Sequence, residues 1–307
     1  MDDINRYYNG DKTILELDNG FNHPIDYIIF PETVHTIIFG HYFNQSLNKV
    51  ILPNKLQIIV FGHSFYQSFK HIIFPETVHT IIFGTKFDEP LYNIKFPKNI
   101  KNIIFGYYFD QELTGYTFPS SIQSITFGEY FNQSLYDATL PHSLQSITFG
   151  HYFDQPLNNI IFPHDLQSIT FGYFFDQPLN KVILPHALQS IIFGHEFNQP
   201  LTKVKFPNSI HVISFGHQFN QPLTKVKFPS SIHTIAFGQH FNQQLDNLPN
   251  SIEKLIFFTI NMNITNLPCS LKEIKIIIDE DTSIKRLLKI PYDCKILDIN
   301  DNIIKIE

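Results

Sequence analysis

At 307 residues the chain could hold two ordinary domains, and 43% hydrophobic residues suits a folded protein. Thirty-two Phe beside no Trp and two Met is far from average usage, which points to one short unit copied many times. A net charge of −6 lacks the basic footprint of a nucleic-acid binder. The apolar runs are four or five residues long, far short of the roughly 20 that a membrane helix needs.

Along the chain, the opening MDDINRYYNGDK is polar and acidic, without the basic stretch and apolar run of a secretory signal. Residues 1–20 carry half a coil, marked by Leu15 and Leu17, and read as an N-terminal cap. From residue 21 a strict beat begins. A box opening "FN" or "FD" recurs from Phe21, Phe43 and Phe65 to Phe241, always 22 residues apart. Prolines keep the beat from Pro31 to Pro229, and glycines from Gly40 to Gly238. Such self-similarity is the signature of a repeat architecture, in which stacked units bury a face that one unit cannot bury alone.

The unit at residues 197–218, FNQPLTKVKFPNSIHVISFGHQ, holds two short alternating runs, TKVKF and HVISF. Alternation at period two predicts two half-buried strands per coil, the first ended by Pro207, the second followed by a turn for which Gly216 supplies backbone freedom. Val204, Phe206, Ile213 and Phe215 are predicted inward, and Lys203, Lys205, Val212 and Ser214 outward. The Asn or Asp after each box Phe (Asn44, Asp110, Asp176, Asn220) is expected to satisfy backbone groups of its own turn. The repeat therefore spans 21–250, as ten full coils and one shortened one. After Phe241 the beat breaks: Pro249 comes two residues early, and Pro268 and Pro291 follow at irregular spacing. Residues 251–307 still alternate and read as degenerate coils with a C-terminal cap, whose added charges discourage edge pairing.

Chemistry finds little purchase in this pattern. The 15 histidines fall in columns: His41, His63, His151, His195 and His217 follow the glycine, His142, His164 and His186 follow the proline, and His35, His79, His211 and His233 open the second run. Residues in a column point in parallel, whereas a metal needs converging ligands, so no metal is expected. Thr85, Tyr107, Glu129 and Tyr173 stand where His41 stands, as befits a tolerant surface position. The serines are copies of one strand position, and Asp alternates freely with Asn in the box, so no catalytic residue and no cofactor is expected. Cys269 and Cys294 lie late in the chain, read as cap residues, and suit a reducing, intracellular compartment.

What remains is surface. The outward face of the second run forms a ladder of Ser124, Thr126, Ser146, Thr148, Ser168, Thr170, Ser190 and Ile192. It is bordered by Gln123, Gln145, Gln167 and Gln189 on one side and by His151, Tyr173 and His195 on the other. Uncharged faces with aromatic borders suit protein partners, although Ser, Thr and Ile are also ordinary strand residues. A weaker basic patch, Lys181, Lys203, Lys205, Lys225 and Lys227, lies on the first run.

The box FNQPL, the FP that follows it and the closing IxFG resemble the FNIP repeat, a relative of the leucine-rich repeats found in social amoebae and in giant viruses that infect amoebae. The resemblance covers residues 21 to about 250, with Tyr66 for the box Asn, Phe69 for the Leu and Ala138 in strand one as departures. It implies an all-β, leucine-rich-repeat-like solenoid with the second-run face concave, and a protein-interaction role. Some relatives carry an F-box ahead of the repeats, which would make the array the recruiting arm of a ubiquitin ligase; the 20 residues here are too few for one. The expectation is a non-enzymatic, cytoplasmic scaffold for a protein partner, with no membrane or nucleic-acid partner. The alternatives are the recruiting arm and a self-assembling structural component.

Overall fold

The computed structural model describes residues 4–306, which divide into two compact units on either side of the Gly150–His151 bond. Coil 197–218 shows how the sequence makes the shape. Three tight turns, each closed by an N–H three residues on, bend the chain. The Leu201 carbonyl accepts from Val204 (3.0 Å), Pro207 from Ile210 (3.2 Å) and Gly216 from Phe219 (3.4 Å). Each turn ends on a buried apolar side chain, so the bends themselves deliver Val204, Ile210 and Phe219 to the core. Between the Pro207 and Gly216 turns the chain extends as the strand Val212–Ser214, with Ile213 fully buried at its centre.

The 22-residue coil and the solenoid stand as the sequence implies, with one correction: each coil carries one strand rather than two. In TKVKF, Thr202 and Lys203 are taken up by the Leu201 turn, leaving too little chain for a ladder. Its alternation is real, with Val204 and Phe206 buried and Lys203 and Lys205 exposed. A turn followed by two extended residues simply mimics period two. In the first unit an isolated bridge, Thr117 with Thr139, is what this run contributes among the described residues.

The described strands of the first unit are β1 (Ile14–Glu16), β2 (Thr36–Ile38), β3 (Ile58–Val60), β4 (Thr80–Ile82), β5 (Asn102–Ile104), β6 (Ser124–Thr126) and β7 (Ser146–Thr148). They pair in sequence order, all parallel, in a register that stacks Ile37, Ile59, Ile81, Ile103, Ile125 and Ile147. The second unit holds β8 (Ser168–Thr170), β9 (Ser190–Ile192), β10 (Val212–Ser214), β11 (Thr234–Phe237), β12 (Lys254–Phe257), β13 (Glu273–Ile276), the short helix α1 (Glu280–Lys285), β14 (Lys295–Leu297) and β15 (Ile303–Ile306). Strands β8 to β14 repeat the parallel ladder, and β15 closes it antiparallel.

Two phenylalanine columns run through the core. In the second unit the strand-end rings are 5.6 Å (Phe193–Phe215) and 5.8 Å (Phe215–Phe237) apart. The box rings are wider spaced, 6.1 Å for Phe197–Phe219 and 6.2 Å for Phe219–Phe241. Paired strands lie only about 4.8 Å apart. The box column is thus the wider spaced of the two. In the first unit Phe69, standing where other coils have Leu, meets Phe61, Phe65, Phe83 and Phe87 edge-on and fills the extra volume without leaving the column.

Two further expectations need correction. The glycine after each strand does not have a positive φ; among the described glycines Gly115 does. Its requirement is steric: a β-carbon on Gly128 would collide with the carbonyl of Gly106, and one on Gly216 with that of Gly194. Nor do the box Asn and Asp serve their own turn. Their Oδ1 atoms accept the backbone N–H one coil on: Asn44 from Tyr66 (3.1 Å), Asp110 from Asn132 (2.8 Å), Asp176 from Asn198 (2.8 Å) and Asn220 from Asn242 (2.9 Å). Asn220 Oδ1 accepts a second bond from Gln243 Nε2 at 3.0 Å. Only an oxygen is required, which explains why Asn and Asp interchange. Asp176→Asn should therefore leave the urea midpoint almost unchanged, whereas Asp176→Ala, which removes the acceptor of a backbone N–H, should lower stability by about 1–3 kcal/mol. Equal midpoints for the two variants would refute this role.

A column of Ser and Thr performs the complementary task. Ser143 Oγ donates to Ser120 O (2.7 Å) and Ile122 O (2.6 Å), and Ser209 Oγ to His186 O (2.6 Å) and Leu188 O (2.7 Å). The outer side of both end strands of the parallel ladder carries antiparallel chain: Tyr8 bridges Leu15 of β1, and β15 pairs with β14. Cys294, just before β14, is buried, and burial, with the charge of Glu273, pushes its thiol up to about 11. Cys269 is exposed, and both thiols are free.

Candidate functional site

The strand face places the predicted surface residues in two groups, one on each unit. In the first, Ser124, Thr126, Ser146 and Thr148 lie half-buried on adjacent strands in register, and Ser146 Oγ donates to Ser124 Oγ at 2.9 Å. Asn102 Nδ2 likewise donates to Thr80 Oγ1 at 3.0 Å. The Ser146 and Ser124 hydroxyls are thus ordered by each other, and strand pairing fixes the backbone beneath the whole group.

In the second unit Ser168 pairs with Ser190 and Thr170 with Ile192, and Ile192 is 42% exposed. The uncharged character continues through β10 and β11 until Lys254, which is tied to Glu273 at 2.9 Å. Along one border of this face His151, Tyr173 and His195 form a stack. Ring centroids are 4.6 and 4.2 Å apart with planes within 11° and 6°, and His217 follows at 4.9 Å. Because the rings cover each other's faces, this border offers a partner ring edges and polar nitrogens rather than a flat stacking platform. His195 Nδ1 lies 2.9 Å from Glu196 Oε1.

The same border in the first unit carries His41 stacked on His63 at 4.4 Å, then the tyrosine cluster Tyr107, Tyr108 and Tyr130. Desolvation, then the neighbouring His41 and Lys86, holds the His63 imidazole below its ordinary value. On the opposite border Gln145 N–H donates to Gln123 O, and Gln189 N–H to Gln167 O, both at 2.8 Å, so these glutamines extend the ladder by one residue.

The basic residues Lys181, Lys203, Lys205, Lys225 and Lys227 are all exposed, on the run between box and proline rather than on the strand face. Beside them sequence reasoning missed a column of isoleucines. Ile161 and Ile183 are 88% and 82% exposed, and Ile29, Ile51 and Ile73 occupy the equivalent position in the first unit, all largely exposed. The signal was available, since these positions align with Lys205 and Lys227, which point out. In the first unit the stripe borders a shallow cavity of about 330 Å³ between Ile29 and Ile51.

The histidine columns do not converge. Among the described residues no group of three or more His, Cys, Asp or Glu is placed to hold a metal ion. His35, His79 and His233 each hold the hydroxyl of the following Thr through Nδ1, at 2.9, 2.9 and 3.0 Å. His211 is followed by Val212, and its buried Nδ1 has no partner. No helix among the described residues is long and apolar enough to cross a membrane.

Comparison with known proteins agrees with this architecture. The model of the FNIP Repeat matches residues 43–86, 87–130, 131–174, 175–218 and 219–259, each match spanning about two coils. A solved structure, that of CroV588 from a giant virus, described as a novel circular LRR protein, is similar at 26% identity with a TM-score of 0.70. The similarity covers 93% of this chain and 53% of that one, so this chain spans about half the length of that relative. No curated protein matches.

Proposed function

From a chain that belongs to the FNIP repeat family, we propose a non-enzymatic scaffold that binds a protein partner through the outward face of its strands. One observation carries the reading: an uncharged, half-buried face of Ser, Thr and Ile on a rigid parallel ladder, bordered in the second unit by stacked His and Tyr rings. Regular spacing and ordered hydroxyls lower the entropy lost when such a face is covered, the general advantage of a preorganised surface. Two free thiols, one of them exposed, support an intracellular setting.

The alternative of a component growing end to end fits less well. Growth by strand addition needs open parallel edges, whereas antiparallel chain covers β1 and β14. A recruiting arm of a ubiquitin ligase is a special case of the scaffold, distinguished by co-purification of a ligase adaptor subunit.

The test is affinity capture from amoebal lysate, comparing the parent chain with Ser146→Lys/Thr148→Lys and with Ser190→Lys/Ile192→Lys. A buried, unpaired charge at an interface costs several kcal/mol, so a specific partner should be depleted about tenfold or more by at least one pair. Capture of the same proteins at the same yield by all three chains would sink this surface assignment.

A further inference from the structure

The outer face of the second unit carries a feature that the strand-face reading leaves unused. Here Ile161, Ile183, Lys205 and Lys227 occupy one position in four successive coils, all exposed. Two residues earlier in three of those coils stand Lys181, Lys203 and Lys225, also exposed. The surface is thus apolar at one end and doubly basic at the other.

Its charges are uncompensated. In the coils that follow, Lys254, Lys272 and Lys275 are tied to Glu273, Glu253 and Asp301 at 2.9, 2.8 and 2.7 Å. Among the described residues no such carboxylate meets any of the five lysines on the outer face, although the chain as a whole carries a net charge of −6. Two isoleucines more than four-fifths exposed, continuing the same column, are equally without a neighbour to cover them. Lysines alone would fit any polyanion. The isoleucines select among polyanions, because a nucleic-acid backbone has no aliphatic group to offer them.

From this arrangement the geometry points to a docking site for an extended protein segment that carries two aliphatic side chains followed, at alternate positions, by two carboxylates. The spacing supports it. Phe206 and Phe228, adjoining Lys205 and Lys227, have ring centroids 5.8 Å apart, which serves as a gauge of the coil-to-coil step on this side. Alternate residues of an extended chain repeat at roughly 6.6 Å, so the mismatch is about 0.8 Å per step. Over three steps that amounts to about 2.4 Å, within the reach of flexible lysine stems. A segment lying along the stack would therefore put every second side chain over this column, leucine-like groups over Ile161 and Ile183 and carboxylates over Lys205 and Lys227. Lys203 and Lys225 of the second lysine column would flank the same carboxylates.

The test uses the full chain and fluorescence anisotropy with labelled synthetic peptides bearing Leu, Leu, Glu and Glu at alternate positions, Thr between them, in both chain directions. One direction should bind. Lys205→Glu/Lys227→Glu should weaken it by about tenfold or more, and Ile161→Ser/Ile183→Ser by about fivefold, while added salt weakens the acidic contacts. Ser190→Lys/Ile192→Lys, on the strand face, should leave peptide affinity within about twofold, which separates this site from the proposed partner face. No binding in either direction would overturn the proposal. So would equal binding of a peptide with Ser for both Leu, or of a uridine oligonucleotide, since either would make the face a general polyanion surface.

Discussion

Gly128→Ala is expected to destabilise the first unit by more than about 3 kcal/mol, a very large effect for the addition of one methyl group. The new β-carbon would lie 2.9 Å from the carbonyl carbon of Gly106 and closer still to its oxygen. The obstruction is backbone, held on both sides by parallel ladders, so no side chain can swing aside to relieve it. Gly106 and Gly150 face the same restriction towards Gly84 and Gly128. Gly20 provides the control, since nothing lies within 4 Å of a β-carbon placed there. Gly20→Ala should shift stability by less than about 0.5 kcal/mol. Urea denaturation followed by circular dichroism reads both. A Gly128→Ala chain that unfolds at the parental urea concentration would disprove the close approach.

Truncating a box phenylalanine should be about as severe. Phe109 is fully buried, stacked on Phe105 at 4.2 Å within its coil and between Phe87 and Phe131 at 5.5 and 5.9 Å. Removing the ring leaves a void that fixed ladders cannot close, so Phe109→Ala should cost about 3–5 kcal/mol. Tyr108, next in sequence but 48% exposed, should cost under about 1 kcal/mol when changed to Ala. Because each coil touches only its neighbours, the loss should appear first as faster amide exchange in the coils around Phe109. Uniform exchange across the unit, or a cost equal to that at Tyr108, would count against a column built of independent layers.

The architecture was legible because its determinants are periodic. Phe, Pro, Gly and Leu recur at one coil, and the inward and outward positions of Val204, Phe206, Ile213 and Phe215 follow from alternation. What the pattern hid were the reasons. Alternation cannot separate a strand from a turn with two extended residues, so TKVKF read as a strand although the Leu201 turn occupies its first half. Glycine at a bend suggests unusual dihedrals, but here it answers a neighbour one coil away, and the box Asn and Asp likewise serve the next coil. Contacts between copies are invisible within a single copy. The same reasoning accounts for Ile161 and Ile183: an aliphatic residue reads as core until its aligned lysines reveal which way the position points.

The bonds from a box Asn or Asp to the coil after it, and the glycine that touches the glycine before it, make neighbouring coils customers and suppliers of one another. Such an array keeps one coil length from Gly40 to Gly238; beyond it, where no glycine follows, the steps shorten to 20 and 19 residues, Thr234 pairing with Lys254 and Lys254 with Glu273. Excising the chain from one glycine to the next rejoins like with like, so that each oxygen still finds an N–H and each bare backbone still meets another. Losing a single residue inside the glycine stretch would set a side chain where two backbones must touch, in the layer that lost it. Between Gly40 and Gly238 the packing thus favours copying errors of one size over all others, a proofreading rule confined to the stretch where glycine meets glycine.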